Sequence, residues 1–204
     1  MRLFLVRHGE SPWNVEKRYT GHADVPLSPV GEQQGQQLAE RLAPEPLDAI
    51  YSSDLQRAWR TAKFIGEGRG VPMVREATWR EITYGAWEGL TGAEIKTQFP
   101  DDYRRWSADI AHQAPPGGET WLALQERALA AVRGLGQQHH ERSVLVVTHS
   151  AFLWTLSCWL HGLPPVSPDA PRMSNGGLSC LLWEDPDPQV LFWNDVAHLG
   201  LIEP

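Results

Sequence analysis

Two short apolar runs constrain the fold of this chain more than any other feature. Residues 3–6 (Leu-Phe-Leu-Val) and residues 144–147 (Val-Leu-Val-Val) contain no polar side chain. Runs of this length are too short for buried helices and are typical of strands that are covered on both faces, as in parallel sheets. They therefore predict a parallel sheet with helices packed against it.

The rest of the chain alternates between strand-like and helix-like segments. Further strands are predicted at residues 49–52 and 71–79, and residues 178–183 and 190–193 are predicted to form a hairpin or an adjacent pair at one sheet edge. Helices are predicted at residues 29–42, 53–65, 101–110 and 151–160, with a loop over residues 15–27. The predicted fold class is α/β, a three-layer α/β/α sandwich with a mostly parallel central sheet, in one domain over residues 1–204.

Three helices have start signals in the sequence. Ser28 followed by Pro29 predicts an N-cap with proline in the first turn. Thr91 fits a capping box with Glu94, three residues later. Thr120 is predicted to cap a long helix, because the apolar residues that follow it recur close to every 3.6 positions.

Both apolar runs end in a histidine. The residues that follow them are Arg7-His8-Gly9 and Thr148-His149-Ser150. Ligand sites of open α/β sheets lie at the carboxyl ends of strands, and a guanidinium beside a helix N-terminus favours an anionic ligand. A histidine there can be a nucleophile, a base or a metal ligand. The alternative is that each residue only completes a turn or caps a helix.

Composition and charge exclude several classes of function. A net charge of −7 lacks the basic face that nucleic acids require, so no nucleic-acid partner is expected. No apolar stretch approaches the length of a membrane span, and the apolar start is too short for a signal peptide, so no membrane partner is expected. The only two cysteines, Cys158 and Cys180, are predicted to be buried free thiols of a reducing compartment, which predicts a cytoplasmic protein.

Further motifs resemble those of the histidine phosphatase superfamily, also known as the phosphoglycerate mutase-like family, and they occur along the chain in the same order as in that family. Those in the first half are Arg7-His8-Gly9-Glu10, Asn14, Thr20-Gly21, Asp24, Pro26-Leu27-Ser28, Gly31, Ser52-Ser53-Asp54-Leu55, Arg57-Ala58 and Thr61-Ala62. Those that follow are Glu81, Gly85, Trp87-Glu88-Gly89 and Thr148-His149, with Asn194 and His198-Leu199 similar to the tail of the phosphatase branch. The resemblance covers nearly the whole chain and implies a phosphoglycerate mutase-like fold.

The resemblance implies a mechanism and a set of site residues. His8 would be the nucleophile that forms a phosphohistidine, and Glu81 would protonate the leaving oxygen and then activate water. The catalytic groups that would bind the nonbridging phosphate oxygens are Arg7, Arg57 and His149. The further substrate-binding residues are Asn14, Thr20, Gly21 and Ser150. Such a cluster would act without a metal or a cofactor.

Without the resemblance, several of these residues have ordinary explanations. Arg57 would be a surface residue of a helix, and Glu81 would be one strand-end glutamate among several. His22 is predicted to be a solvated loop residue. Of the ten tryptophans, Trp13, Trp79 and Trp87 are those that could line a pocket for an organic leaving group.

The family contains mutases as well as phosphatases. A mutase would be expected to have a long lid insertion after the acid and an Arg-His-Tyr run directly behind it. Here Ile82-Thr83-Tyr84 follows Glu81, and the span over residues 91–113 is short. We therefore predict hydrolysis of a small-molecule phosphomonoester. The alternative is a 2,3-bisphosphoglycerate-dependent phosphoglycerate mutase, and a non-catalytic phosphate-binding module ranks last.

Other questions stay open at this level. Ser150-Ala151 stands where the family often has glycine, and Arg104-Arg105 could bind a substrate carboxylate or lie on the solvated side of a helix. The substrate could be that of a broad-specificity, α-ribazole or sugar-phosphoglycerate phosphatase. Residues 190–193 could pair in a homodimer or be covered within the chain.

Overall fold

The two apolar runs form adjacent strands at the centre of the sheet. The structure, a computed structural model, describes residues 1–200. Its strands are β1 (Arg2–Arg7), β2 (Ala49–Ser53), β3 (Met73–Glu76), β4 (Ser143–Thr148), β5 (Leu178–Leu182) and β6 (Gln189–Asp195). They form one six-stranded sheet in the order β3-β2-β4-β1-β5-β6. The first four strands in this order are parallel, and β5 and β6 are antiparallel at the edge, as predicted.

Within residues 1–200, seven α-helices connect and cover the strands. They are α1 (Pro12–Val15), α2 (Pro29–Leu42), α3 (Gln56–Gly66), α4 (Gly92–Gln98), α5 (Pro100–Ala108), α6 (Trp121–Gln138) and α7 (Ser150–Leu160). The predicted caps are confirmed: the side chains of Ser28, Thr91 and Thr120 each accept a hydrogen bond from a first-turn amide.

Two predicted element boundaries were wrong. The third helix begins at Gln56 and not at residue 53, and the Asp54 carboxylate accepts two hydrogen bonds from Arg80, both of 2.6 Å. The third strand ends at Glu76, after which Ala77–Trp79 forms a 3₁₀ turn. At the first of these boundaries, a side-chain contact with a distant segment replaces the regular structure that the local pattern predicts.

The side chains of the central strands point alternately to the two faces of the sheet, and a layer of helices covers each face. Leu3 and Leu5 of β1 face a core shared with α6 and α7, whereas Phe4 and Val6 face a core shared with α2 and α3. Strand β4 divides its side chains in the same way. Because a strand's side chains alternate between faces, a fully apolar strand requires both of these layers. The three-layer α/β/α fold predicted from the sequence is confirmed.

A third, smaller core lies under α4 and α5. It contains the buried side chains of Trp87, Ile95 and Trp106. Tyr84 packs against both this small core and the core that faces α6 and α7.

Other predictions of the sequence concern the surface and the cysteines. Within residues 1–200, no helix combines the length and apolar character needed to cross a bilayer. Both cysteines are free and buried, as predicted. Strand β6 lies at the sheet edge, and Leu191 at its centre is 53% exposed and therefore not covered within residues 1–200.

Candidate active site

Parallel pairing of β1 and β4 brings the two strand-end histidines together. Arg7 lies opposite Thr148 in the register, so His8 and His149 leave the sheet side by side. Their ring centroids are 5.0 Å apart in an edge-on arrangement. His8 is 3% exposed and His149 is fully buried. The parallel register therefore brings the two strand-end histidines together at one edge of the sheet.

The His8 ring is held as a neutral imidazole by one hydrogen bond at each of its nitrogens. Its Nδ1 lies 2.6 Å from the Gly9 carbonyl oxygen, which can only accept, so Nδ1 carries the proton. Its Nε2 accepts a hydrogen bond from Arg57 Nε at 3.3 Å. Burial, and then the charges of Arg57 and Arg7, hold the pKa of His8 well below its usual value. The Nε2 atom therefore carries the lone pair of the ring.

Gly9 is required by the close approach of two backbones. A Cβ at this position would overlap the carbonyl of Gly31 in α2. The Gly9 amide donates to Thr61 Oγ1 of α3 at 3.1 Å. The turn that carries His8 is therefore wedged between two helices, which fixes the position of the ring.

Arg57 is a buried cation, not the surface residue that a bare helix position suggests. It is 1% exposed, and its guanidinium donates to the carbonyl oxygens of Ala23 at 2.8 Å and Gly21 at 2.9 Å. Burial lowers the pKa of Arg57 to about 10, so it remains charged at neutral pH. Gly21 has φ of +50°, a conformation that favours glycine. Arg57 therefore holds the loop before α2 through these carbonyl groups and also contacts the His8 ring.

Substituting Arg57 tests this double role. We expect Arg57→Lys to lower kcat/KM about 100-fold, because an ammonium cannot reproduce the planar set of donors that Arg57 directs at His8 and the loop. Arg60→Lys is the matched control, since Arg60 lies one turn further along α3 and pairs with Glu32 at the surface. Steady-state kinetics of both variants measure the effect. Equal activity of the two would contradict the role of Arg57.

Arg7 and His149 have polar atoms without protein partners. Arg7 donates from Nη1 to the Met173 carbonyl oxygen at 2.8 Å, while its buried Nε has no partner within residues 1–200. Both ring nitrogens of His149 are also buried and unpartnered within that range. Burial is the main cause that lowers the pKa of each residue. Groups in this condition gain a hydrogen bond when a polar ligand enters.

The side chain of Glu81 is hydrogen-bonded to the N-terminus of α7. Its Oε1 accepts from the amides of Ala151 at 2.9 Å and Phe152 at 3.3 Å, and from its own neighbour Ile82 at 3.1 Å. These free amides of a first helical turn suit a carboxylate. This contact joins the segment that contains Glu81 to the helix that begins directly after His149.

The predicted site residues surround one cleft of about 250 Å³. Eight of the nine line it: Arg7, His8, Asn14, Thr20, Gly21, Arg57, Glu81 and Ser150. His149 does not line the cleft but packs against the His8 ring. Within residues 1–200, no group of three or more His, Cys, Asp and Glu side chains is arranged to hold a metal ion.

Several neighbours of the site were missed from the sequence. Asn175 donates from Nδ2 to Asn14 Oδ1 at 3.1 Å and to the His8 carbonyl oxygen at 3.2 Å. The cleft is also lined by Lys17, Arg18, Tyr19 and Tyr84. The Asn-Gly-Gly turn at residues 175–177 was the only local signal, since such turns allow a close approach of the backbone.

Some expectations about other residues were wrong. His22 is half-buried, with Nε2 2.9 Å from the Glu81 carbonyl oxygen, so it is not a solvated loop residue. Trp13 lines the cleft, but Trp79 and Trp87 are core residues. By contrast, Arg104 and Arg105 lie on the exposed side of α5, paired with Asp101 and Asp102, as expected for the solvated side of a helix.

The two buried histidines also predict how stability depends on pH. Their folded-state pKa values lie well below 6.5, so below that pH the unfolded chain binds more protons than the folded chain. We expect the free energy of unfolding to fall by about 1 kcal/mol per histidine between pH 7.5 and pH 5.5. Urea titrations at the two pH values measure this free energy. The His149→Gln variant should lose only about half as much stability between the two pH values. A control, His112→Gln, changes an exposed ring and should leave the loss intact. Equal stability at the two pH values would contradict the prediction.

Comparison with known proteins decides the family. The family model described as the histidine phosphatase superfamily (branch 1) matches residues 3–196. The chain belongs to this superfamily. The resemblance inferred from the sequence motifs is thereby confirmed.

Individual members of the histidine phosphatase superfamily match over almost the full chain. Phosphoserine phosphatase 1 of Hydrogenobacter thermophilus is 32% identical, over 98% of this chain and 95% of the relative. Phosphoglycerate mutase-like protein 4 of Arabidopsis thaliana is 32% identical, over 97% and 86%. The crystal structure of the α-ribazole phosphatase from Shigella flexneri superposes with a TM-score of 0.89 at 30% identity, over 96% of each chain. The relatives named as phosphatases support the predicted class, a phosphoric monoester hydrolase.

Proposed function

We propose that this protein hydrolyses a small phosphomonoester through a phosphohistidine on His8 and that Glu81 is the proton donor. The observation that carries the proposal is the state of the His8 ring. The Gly9 carbonyl binds its Nδ1–H, its pKa is lowered, and its Nε2 contacts the buried Arg57 guanidinium in a cleft that Arg7 also lines. A neutral imidazole next to cations is suited to attack an anionic phosphoryl group.

In the first step, Nε2 of His8 forms a bond to phosphorus while the bond from phosphorus to the ester oxygen breaks. The charge of the transferring group is spread over three oxygens, and Arg7 and Arg57 are in place to bind them. Their two positive charges supply the stabilisation for which other phosphoryl-transfer enzymes use metal ions. The Gly9 carbonyl keeps its bond to Nδ1–H and stabilises the positive charge that the ring gains.

His149 and Asn14 would complete the binding of the phosphoryl group. Both nitrogens of His149 lack partners within residues 1–200, and a phosphoryl group on the neighbouring ring would provide one. The Asn14 Oδ1 accepts from Ser11 and Asn175, so its amide NH₂ is left to donate to the substrate.

Glu81 is suited to the two proton transfers. It lines the cleft with His8, and the α7 amides fix its carboxyl group. It would donate a proton to the leaving oxygen, and the resulting carboxylate would then accept one from the water that attacks phosphohistidine. The phosphate then leaves and His8 returns to its neutral form.

Hydrolysis is favoured over phosphoryl transfer between two positions of a phosphoglycerate. Ile82, directly after the proposed acid, is fully buried and cannot act in the cleft. The segment beyond it consists of the short helices α4 and α5, with the cleft open beside them. A relative named mutase-like supports keeping the mutase as the second candidate, and a non-catalytic phosphate-binding module ranks below it.

The test is phosphate release from phosphomonoesters, with and without a chelator. The named relatives suggest phosphoserine and α-ribazole phosphate, with sugar phosphates and 3-phosphoglycerate added. Chelator-resistant release is expected. Isomerisation of 3-phosphoglycerate with a bisphosphoglycerate primer, without net release, would identify a mutase instead. A cytoplasmic location and a homodimer remain predictions.

A further inference from the structure

A second cavity adjoins the cleft that contains His8. It has a volume of about 270 Å³. The residues that line both cavities are Tyr19, Glu81, Tyr84 and Ser150. An ester whose phosphorus lies beside His8 and whose bridging oxygen faces Glu81 therefore has its organic part directed towards this second cavity.

The second cavity, here called the tryptophan chamber, has three indole walls. These are Trp106, Trp121 and Trp154, with exposures of 8%, 5% and 7%. Trp121 and Trp154 meet edge to face with ring centroids 4.9 Å apart. The Trp121 Nε1 is buried without a partner within residues 1–200. Walls of this kind favour a flat apolar body and leave one donor for a polar substituent.

Arg172 is the cation of the tryptophan chamber. Its guanidinium carbon lies 3.6 Å from the Trp154 ring centroid, a stacked arrangement that leaves the N–H edges free. Arg172 is exposed, and within residues 1–200 it is one of five arginines that no carboxylate approaches to 4.0 Å, whereas Arg104 pairs with Asp101. In a chain of net charge −7, an arginine without a carboxylate beside an apolar cavity is available for an anionic ligand.

We propose that the tryptophan chamber binds the leaving group of the substrate and that Arg172 binds a carboxylate on it. The substrate class is a phosphomonoester whose compact, flat leaving group carries a carboxylate. This inference rests on the proposed function, since it assumes that the phosphate occupies the cleft beside His8. Arg172 would then bind the substrate carboxylate, a role that the sequence left open for Arg104 and Arg105. Those two residues are instead paired with aspartates at the surface.

A matched pair of substrates tests the inference. 4-Carboxyphenyl phosphate and its methyl ester differ in one negative charge, and the ratio of their kcat/KM values reports recognition of that charge alone. We expect the protein to prefer the acid and Arg172→Met to lower the ratio about tenfold, the usual effect of losing one charged hydrogen bond. Arg172→Lys should retain part of the preference. The control Arg104→Met should leave the ratio unchanged.

Several outcomes would overturn the inference while leaving the proposed function intact. One is hydrolysis that depends on His8 but shows the same ratio in the Arg172→Met variant. Another is a preference for the methyl ester or for sugar phosphates. If no ester is hydrolysed, the proposed function fails instead. In that case, calorimetric titration with 4-hydroxybenzoate tests the tryptophan chamber by itself. Weaker binding by the Arg172→Met variant than by the unsubstituted protein supports the inference, and equal binding by the two proteins overturns it.

Discussion

His8→Ala is expected to lower kcat on the order of 10⁴-fold or more, because the variant has no atom on which to form the covalent intermediate. The buried ring of His8 directly follows β1, and within residues 1–200 His8 is the one histidine that lines the cleft. The measurement is steady-state phosphate release, together with a thermal melt to show that the variant is folded.

A labelling experiment identifies the intermediate itself. Rapid quenching with a ³²P-labelled ester should leave a label on the protein that survives alkali and is lost in acid, as expected for a phosphorus–nitrogen bond. The control His112→Ala removes an exposed histidine that pairs with Asp109 and should label and turn over normally. Near-normal turnover by His8→Ala, or an acid-stable label, would refute the assignment.

Glu81→Gln is expected to lower kcat about 10²- to 10⁴-fold for esters of alcohols, because their leaving oxygen needs a proton. The substitution keeps an acceptor for the α7 amides, so the fold should be retained. With 4-nitrophenyl phosphate, whose leaving group is stable without a proton, phosphorylation of His8 should remain fast. Hydrolysis of the intermediate should then limit turnover, since the variant has no base to activate water.

Stopped-flow measurement of 4-nitrophenol separates these steps. The variant should release one equivalent per active site in a burst, followed by slow turnover. Glu76→Gln is the control, since Glu76 is an exposed glutamate of β3 in the same segment. An equal loss for good and poor leaving groups, without a burst, would show that Glu81 is not the proton donor.

Where the structure agrees with the sequence-based predictions, the signals are local. Apolar runs predict β1 and β4 because four consecutive apolar residues can be buried only by layers on both faces. Ser28, Thr91 and Thr120 predict helix starts because a side-chain oxygen satisfies an amide within the same turn. The pairing of His8 with His149 follows from the same logic, since adjacent parallel strands end at one edge of the sheet.

Other parts of the site were predicted only through the resemblance to a family. Arg57 lies on a helix whose pattern gives no sign that its cation is buried, and Glu81 follows a 3₁₀ turn without a regular pattern. Their positions depend on carbonyl groups and amides more than 30 residues away in the chain, such as Gly21 and Ala151. No local periodicity records such contacts.

By itself, the sequence determined the layered fold and the edge of the sheet at which the two strand-end histidines lie, because strand periodicity and helix capping act over a few residues. Only the tertiary structure decided that Glu81 is held by α7, that Asn175 supports Asn14, and that Arg172 stacks on Trp154 beside a second cavity. These contacts join loops that pack on the sheet from distant parts of the chain. Their geometry is set by the packing of the whole molecule, which no short stretch of sequence contains.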